Sequence, residues 1–464
     1  MTEADTTAAA VVGASLRRVQ YEESAIERLL GEDAWATAID DADTHERRLP
    51  HTPVATALRL FFLERPVSRA AAEEAFGARM LDALPGLRLA NVTERAVEPL
   101  VRIVPIGTIL LASDRLSTDA TDDPPDYVST YSPTARLCDL LTPRPWCTHA
   151  LDVGTGNGVQ ALLAAGHSEH VIATDVNPRA LAFTELNAAL SGIDNVETRR
   201  GSLFEPVDGE HFDLIVCNPP FVVSPERRWT YRDGWLEGDE LSARVVREAA
   251  AHLENGGFAT LLLSWLGRSA DEPDERAWEW VQDIGCDSWI LPVDEASPGE
   301  HAERWNAHLD DKPDDYSDAL RRWTEYLEEH DAEVVTEGAI LLHRRHGATT
   351  SRIDEVDEDD LEQADHQIRR AFASRASLEG HDLLDARLEP ADALTIETSK
   401  TRARVTLDEG MRPHVDVSPA VARWLSKLDG KPLRDLDPSP AAVDASRELL
   451  ELGALELRGF TSAP

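Results

Sequence analysis

Leu151-Asp152-Val153-Gly154-Thr155-Gly156-Asn157-Gly158 is the stretch on which the fold turns. An apolar strand runs into three alternating glycines, and a helical pattern opens at Gly158. Glycine is needed where the backbone turns sharply and where a ligand lies against it. A helix start beyond the turn offers free N–H groups to that ligand. Asp175 follows Gly158 by 17 residues and ends the next apolar strand, His170 to Asp175. An acid there can accept hydrogen bonds from both ribose hydroxyls of a nucleotide cofactor. Dinucleotide enzymes space this loop G-x-G-x-x-G so that a pyrophosphate rests on the helix. Here the spacing is G-x-G-x-G, and Asp152 would repel a pyrophosphate but suits the ammonium of a methionine moiety. The loop therefore favours S-adenosyl-L-methionine. The candidate cofactor-binding residues are Asp152, Gly154, Thr155, Gly156, Asn157 and Gly158 in the loop, with Asp175 and its neighbours Val176 and Asn177.

From His149 onward strands and helices alternate, the signature of a parallel sheet with crossover helices. Strands are expected at His149–Val153, His170–Asp175, Val196–Arg200, Phe212–Cys217, Phe258–Trp265, Ser288–Leu291 and Glu333–Arg345. Helices are expected at Gly158–Ala165, Pro178–Leu190, Glu240–Glu254, Arg276–Ile284 and Tyr316–His330. The fold class is α/β, a Rossmann-like sheet of seven strands over residues 121–348. Residues 1–120 read as a mostly helical, winged-helix-like unit with a loose polar lead over 1–20. Helical spacing over Pro53–Leu63, a second helix capped by Ser68, and strands at Leu87–Leu89 and Leu100–Leu111 support this. Thr118 to Pro125 reads as a linker. Residues 349–464 read as a second small α+β unit that opens with the acidic run Asp354 to Asp360.

Asn218-Pro219-Pro220-Phe221 follows the fourth strand directly, and ligands of open α/β sheets bind at the carboxyl ends of strands. Two prolines fix the backbone and remove two donors. What remains is acceptor-rich: the Asn218 side-chain carbonyl and the Pro219 backbone carbonyl. Two adjacent acceptors suit an NH₂ group, and Phe221 offers a flat face to a flat group. An amide or aryl-amine nitrogen is a poor nucleophile because its lone pair is delocalised. Holding both N–H bonds to acceptors turns the lone pair towards a methyl donor, so catalysis is mainly positioning. Asn218, Pro219, Pro220 and Phe221 are the candidate catalytic residues.

With these motifs in view, residues 127–265 resemble class I methyltransferases of the N-methylating branch. That branch includes release-factor glutamine methyltransferases and ribosomal-RNA guanine-N2 methyltransferases. The similarity runs through Leu151–Gly158, Asp175–Ala180, Asn187, Gly201–Pro206 and Asn218–Pro225, and is nearest to the glutamine methyltransferases. The resemblance implies that Asp152, Gly154, Gly156, Asp175, Ser202 and Leu203 line the cofactor and that Asn218 meets both cofactor and substrate. Ser202 stands where the family often has Asp, which weakens the implied adenine contact. The implied activity is methyl transfer to a planar amide nitrogen of a protein glutamine. The alternative is an exocyclic base amine, guanine N2 or adenine N6, in RNA or DNA. The implied partner is a protein substrate, with translation factors among the candidates, or RNA. A non-catalytic protein that kept the cofactor fold is the third class.

Composition narrows these choices. The 464 residues carry a formal net charge of −40 with only four lysines, Lys312, Lys400, Lys427 and Lys431. Such a surface repels polyanions, which counts against tight binding to naked nucleic acid. Cys138, Cys147, Cys217 and Cys286 form no C-x-x-C pair, so neither a metal site nor a disulfide framework is expected. Neither a signal peptide nor an apolar run of 18 residues is evident, so a cytoplasmic protein without a membrane span is expected. Arg227, Arg228 and Arg232 follow the catalytic turn and suit phosphates or an acidic partner as well as surface ion pairs. Trp229, Tyr231 and Trp235 suit base stacking or simple packing. Trp278, Trp280, Trp289, Trp305 and Trp323 read as core.

Overall fold

The computed structural model describes residues 1–31, 34–37, 41–116, 124–227, 236–310, 312–356 and 361–460. Arg228, Trp229, Tyr231, Arg232 and Trp235, residues 118–123 of the expected linker and residues 357–360 of the acidic run lie outside the described residues.

The centre is a sheet of eight strands: β1 Cys147–Val153, β2 Ser168–Asp175, β3 Val196–Arg200, β4 Phe212–Cys217, β5 Leu253–Gly267, β6 Cys286–Ala296, β7 Val334–Arg344 and β8 Ser351–Ile353. Their order is β8-β6-β7-β5-β4-β1-β2-β3. β7 runs antiparallel to both neighbours, and the other pairs are parallel. The seven expected strands are joined at the edge by β8, which lies just past residue 348. The central strands are apolar on both faces because helices cover both. On the described residues, α1 Val159–Ala165, α2 Pro178–Ser191, α3 Glu240–His252 and α4 Glu275–Trp280 follow β1, β2, β4 and β5. β5 starts earlier than expected, at Leu253, with a register shift before Phe258. Between β6 and β7 stands a helical pair, α5 Pro298–Asn306 and α6 Pro313–Glu329.

The amino-terminal segment differs from the expected loose lead. Glu3–Arg18 is a helix, closed at its start by a reciprocal cap between Thr2 and Asp5. Ala9, Val12 and Leu16 are buried, which ties the helix into the core. It lies so close to α2 that a Cβ on Gly13 would sit 1.9 Å from the Leu190 carbonyl oxygen, and only glycine fits there. Arg17 Nη1 donates to that same carbonyl at 3.0 Å. Pro53–Ala57 is α-helical, but Leu58–Phe62 widens into a π turn. Leu87–Leu89 is the turn that ends the helix Ala78–Gly86 rather than a strand. Leu100–Leu111 splits into the hairpin Arg102–Ile106 and Ile109–Ser113.

One apolar cluster runs from Ala9, Leu16 and Phe61 through Leu111 to Ala180, Phe183 and Leu190 of α2. This explains why α2 is buried almost all round: the sheet lies on one side and the amino-terminal unit on the other. The carboxy-terminal unit has its own core around Leu388, Trp424 and Leu449, and Phe372 packs with Trp289 of β6. Trp289 and Trp323 fill core as expected, whereas Trp278 is 40 % exposed. All four cysteines are free and buried. No helix among the described residues is long and apolar enough to cross a membrane, and no cluster of three metal-ligating side chains occurs among them.

Candidate functional site

The register levels the carboxyl ends of the central strands. Val153 pairs with Cys217 on one side and Thr174 on the other. The glycine loop, Asp175 and Asn218 therefore leave the sheet side by side, and a cleft forms where they meet. Gly154, Gly156, Asp175, Val176, Asn177, Leu203, Asn218, Pro219 and Pro220 line it, with Tyr127, Val128, Ser129, Ala180 and Gly201.

The loop holds its shape through glycine and through buried polar contacts. Gly154, Gly156 and Gly158 all have positive φ. At Gly158, φ is +86° and a Cβ would meet Thr184 Cγ2 at 2.8 Å, so α2 and the loop can approach only without a side chain. Asp152 is 2 % exposed and works beneath the loop: its Oδ2 accepts from Thr155 Oγ1 at 2.6 Å and Ala161 N at 2.9 Å. Burial pushes its carboxyl up to about 7. Asn157 donates from Nδ2 to the Ser129 carbonyl at 2.8 Å. Asp152, Thr155, Asn157 and Gly158 thus brace the loop and do not line the cleft.

Asp175 is the acidic group of the cleft wall. Its Oδ2 accepts from Gly156 N at 3.0 Å and its Oδ1 from Asn177 N at 2.8 Å. Burial raises its pKa, and these backbone donors oppose the rise. A carboxylate has about four acceptor positions, so each oxygen keeps one for a ligand hydroxyl. Asn177 is taken up by structure: it caps Arg179 N at 2.9 Å and donates to the Asp126 carbonyl at 3.0 Å. Leu203 is held at φ +49°, a strained conformation for leucine at the cleft. Ser202, expected beside it, does not line the cleft.

Pro219 is buried, and Asn218 and Pro220 are half-buried. Among the described residues no group hydrogen-bonds the Asn218 carboxamide. Phe221 does not line the cleft and packs against the apolar cluster that includes Leu214 and Val216.

Tyr127 to Ser129 were not foreseen. Asp114 holds them in place: its backbone N and its Oδ2 bond Val128 O and N at 3.0 and 2.8 Å, and its carboxylate pairs with Arg179. No periodicity marks these residues, because their place depends on contacts with α2, distant in sequence. Ala180 and Gly201 adjoin recognised motifs and could have been found by extending them one residue.

An open α/β sheet with a glycine loop, a strand-ending acid and a proline-fixed turn at one switch point defines a nucleotide-cofactor protein. Residues 134–264 match the family model described as "Methyltransferase small domain". That stretch is similar to the methyltransferase small domain, a family that uses S-adenosyl-L-methionine as methyl donor. The chain is 37% identical over 126 residues to a release factor glutamine methyltransferase of Xylella fastidiosa, covering 25% of this chain and 46% of that protein. It is 35% identical over 138 residues to a ribosomal protein uL3 glutamine methyltransferase of Bradyrhizobium diazoefficiens, covering 27% and 42%. The chain thus spans under half the length of these relatives. A methyltransferase structure from Pyrococcus furiosus aligns with a TM-score of 0.31 and 16% identity, over 51% of this chain and 89% of that one.

Proposed function

We propose that this protein methylates a planar amide nitrogen, that of a glutamine side chain in a protein, using S-adenosyl-L-methionine. The carrying observation is the Asn218 carboxamide, which no described residue hydrogen-bonds, on the same cleft wall as Asp175 and the glycine loop. The cleft residues fit the methyl donor. Asp175 has acceptor capacity left for ribose hydroxyls, and Gly154 and Gly156 present bare backbone. Leu203, Val176 and Asn177 form the wall beyond. Asp152, Thr155, Asn157 and Gly158 keep the loop in shape. The bound donor supplies an electrophilic methyl carbon.

The chain's own part is to bind and orient. Asn218 Oδ1 and the Pro219 carbonyl accept the two N–H bonds of the substrate amide, which turns its lone pair out of conjugation. The prolines keep both acceptors still, so little reorganisation remains at the moment of transfer. Both curated relatives are named for a glutamine, one in a release factor and one in ribosomal protein uL3, which supports the protein reading. The net charge of −40 supports it against RNA.

Incubation with labelled methyl donor and cell extract tests this. Label should resist RNase and be lost to protease; the reverse outcome rejects the protein substrate in favour of a base amine. Asn218→Ala should lower transfer about 100-fold or more while S-adenosyl-L-homocysteine affinity stays within a few-fold. Unchanged turnover in that variant rejects the role given to the turn.

A further inference from the structure

The segment that leaves the catalytic turn is gripped at both ends by the helical pair inserted between β6 and β7. At the near end, Val222 packs with Ala302 of α5 and Trp323 of α6. The Val223 carbonyl accepts from His301 Nε2 at 3.0 Å, and His301 is only 1 % exposed. Glu226 pairs with Arg322 at 2.7 Å. At the far end, Gly238 N donates to Tyr326 Oη at 2.8 Å. Gly238 has φ +54°, and a Cβ there would come within 3.2 Å of His330 Nδ1. Asp239 follows and is buried, accepting from Leu266 N at 3.0 Å and pairing with Arg276 at 3.1 Å.

From this two-ended grip we infer that α5 and α6 are a positioning device for Asn218-Pro219-Pro220-Phe221, with His301 and Tyr326 as its positioning residues. The inference rests on the proposed role of that turn. The geometry carries it. Prolines fix the turn itself but donate nothing to hold it in place. Val222 and Val223 are the first residues after it that can be anchored, and both are anchored on the insert. His301 must carry its proton on Nε2 to donate to a carbonyl. A near-buried imidazole spent on a main-chain carbonyl fixes where that carbonyl sits. Misplacing the reacting groups by about 1 Å costs about 100-fold in rate, so a grip one residue beyond the turn bears on catalysis without touching substrate.

The test uses the full chain and three variants. Tyr326→Phe removes only the hydroxyl that accepts from Gly238 N, at a half-buried site. His301→Leu removes the donor, and His301→Gln restores one at a similar reach. The first readout is amide hydrogen exchange over residues 221–227, the second is S-adenosyl-L-homocysteine affinity by calorimetry, and the third is methyl transfer to cell-extract protein. In His301→Leu and Tyr326→Phe, transfer should fall about 10-fold, exchange over 221–227 should rise, and affinity should stay within about two-fold. His301→Gln should recover most of the loss. Should His301→Leu fail to fold, Tyr326→Phe and His301→Gln decide the matter. Full transfer in Tyr326→Phe, or a loss that tracks cofactor affinity instead, overturns the inference. A wild-type chain that transfers nothing to any fraction overturns the proposed function, and the positioning role falls with it.

Discussion

Asp152 carries its charge into a place that water does not reach. Its folded pKa, about 7, lies above the ordinary carboxylate value because burial disfavours the anion, and its bonds from Thr155 and Ala161 only partly offset this. The folded chain therefore holds the proton more tightly than the unfolded one. This contribution to stability is fully present below about pH 4 and is lost as pH rises through about 7, on the order of 4 kcal/mol at most. Asp152→Asn keeps an acceptor and removes the titration. Its melting temperature relative to wild type should climb from pH 5 to pH 8, and a flat difference between those values would contradict the assigned environment. At this scale the sequence was informative where backbone chemistry decides the outcome. The glycines, Asp175 and the proline turn lie where their types require. It was less informative for side-chain direction. Asp152 and Phe221 have the right chemistry for a ligand but do not line the cleft: Asp152 braces the loop and Phe221 packs under the turn, through contacts that local sequence does not reveal.

At the scale of elements, α2 has two tasks. Its first turn borders the cleft, and its flank carries Asn187. That fully buried carboxamide accepts from Ala112 N at 2.8 Å and donates to the carbonyls of Ala112 at 2.9 Å and Asn157 at 2.8 Å. It thus ties the hairpin at Ile109–Ser113 to the glycine loop. Asn187→Ala would leave an N–H and carbonyl groups buried without partners, at about 1–3 kcal/mol each. The expected result is a loss of about 3 kcal/mol by denaturant unfolding, with faster amide exchange at Ala112. A loss under about 0.5 kcal/mol would show that water satisfies these groups. Element type was legible for the strands of the sheet, where apolar runs and turn residues agree. The amino-terminal helix Glu3–Arg18 was missed because its sequence is rich in alanine and weakly patterned. Its order comes from a cap and from packing on α2. The π turn at Leu58–Phe62 breaks a helical pattern that has no sequence marker.

For the molecule as a whole, charge is the dominant quantity. A net charge of −40 sets like charges against one another over the whole surface. The many exposed arginine–carboxylate pairs, such as Arg404 with Asp416, are each worth little. At about 0.01 M salt the screening length is about 30 Å, and at 1 M it is about 3 Å. The melting temperature should therefore rise between these conditions, by roughly 5 °C. A fall would mean that ion-pair networks outweigh the repulsion. The small flanking units were legible only as mixtures of short helices and strands. Their strands are brief, and those of the hairpin Arg102–Ile106 and Ile109–Ser113 are buried on both faces, so local pattern says little about how they associate.

The close approach at Gly13 has a consequence for how this protein can be divided. Its motifs all lie between residues 127 and 353, which invites excision of that stretch as a catalytic core. Such a fragment would present the flank of Phe183, Leu186 and Leu190 to water, along with Asn187 and Arg179 stripped of Ala112 and Asp114. The boundary that the motifs suggest cuts through the contiguous apolar cluster, which cooperative melting is expected to follow instead. A cut that respects stability must keep the first helix with the glycine loop, however far apart the two stand in the chain.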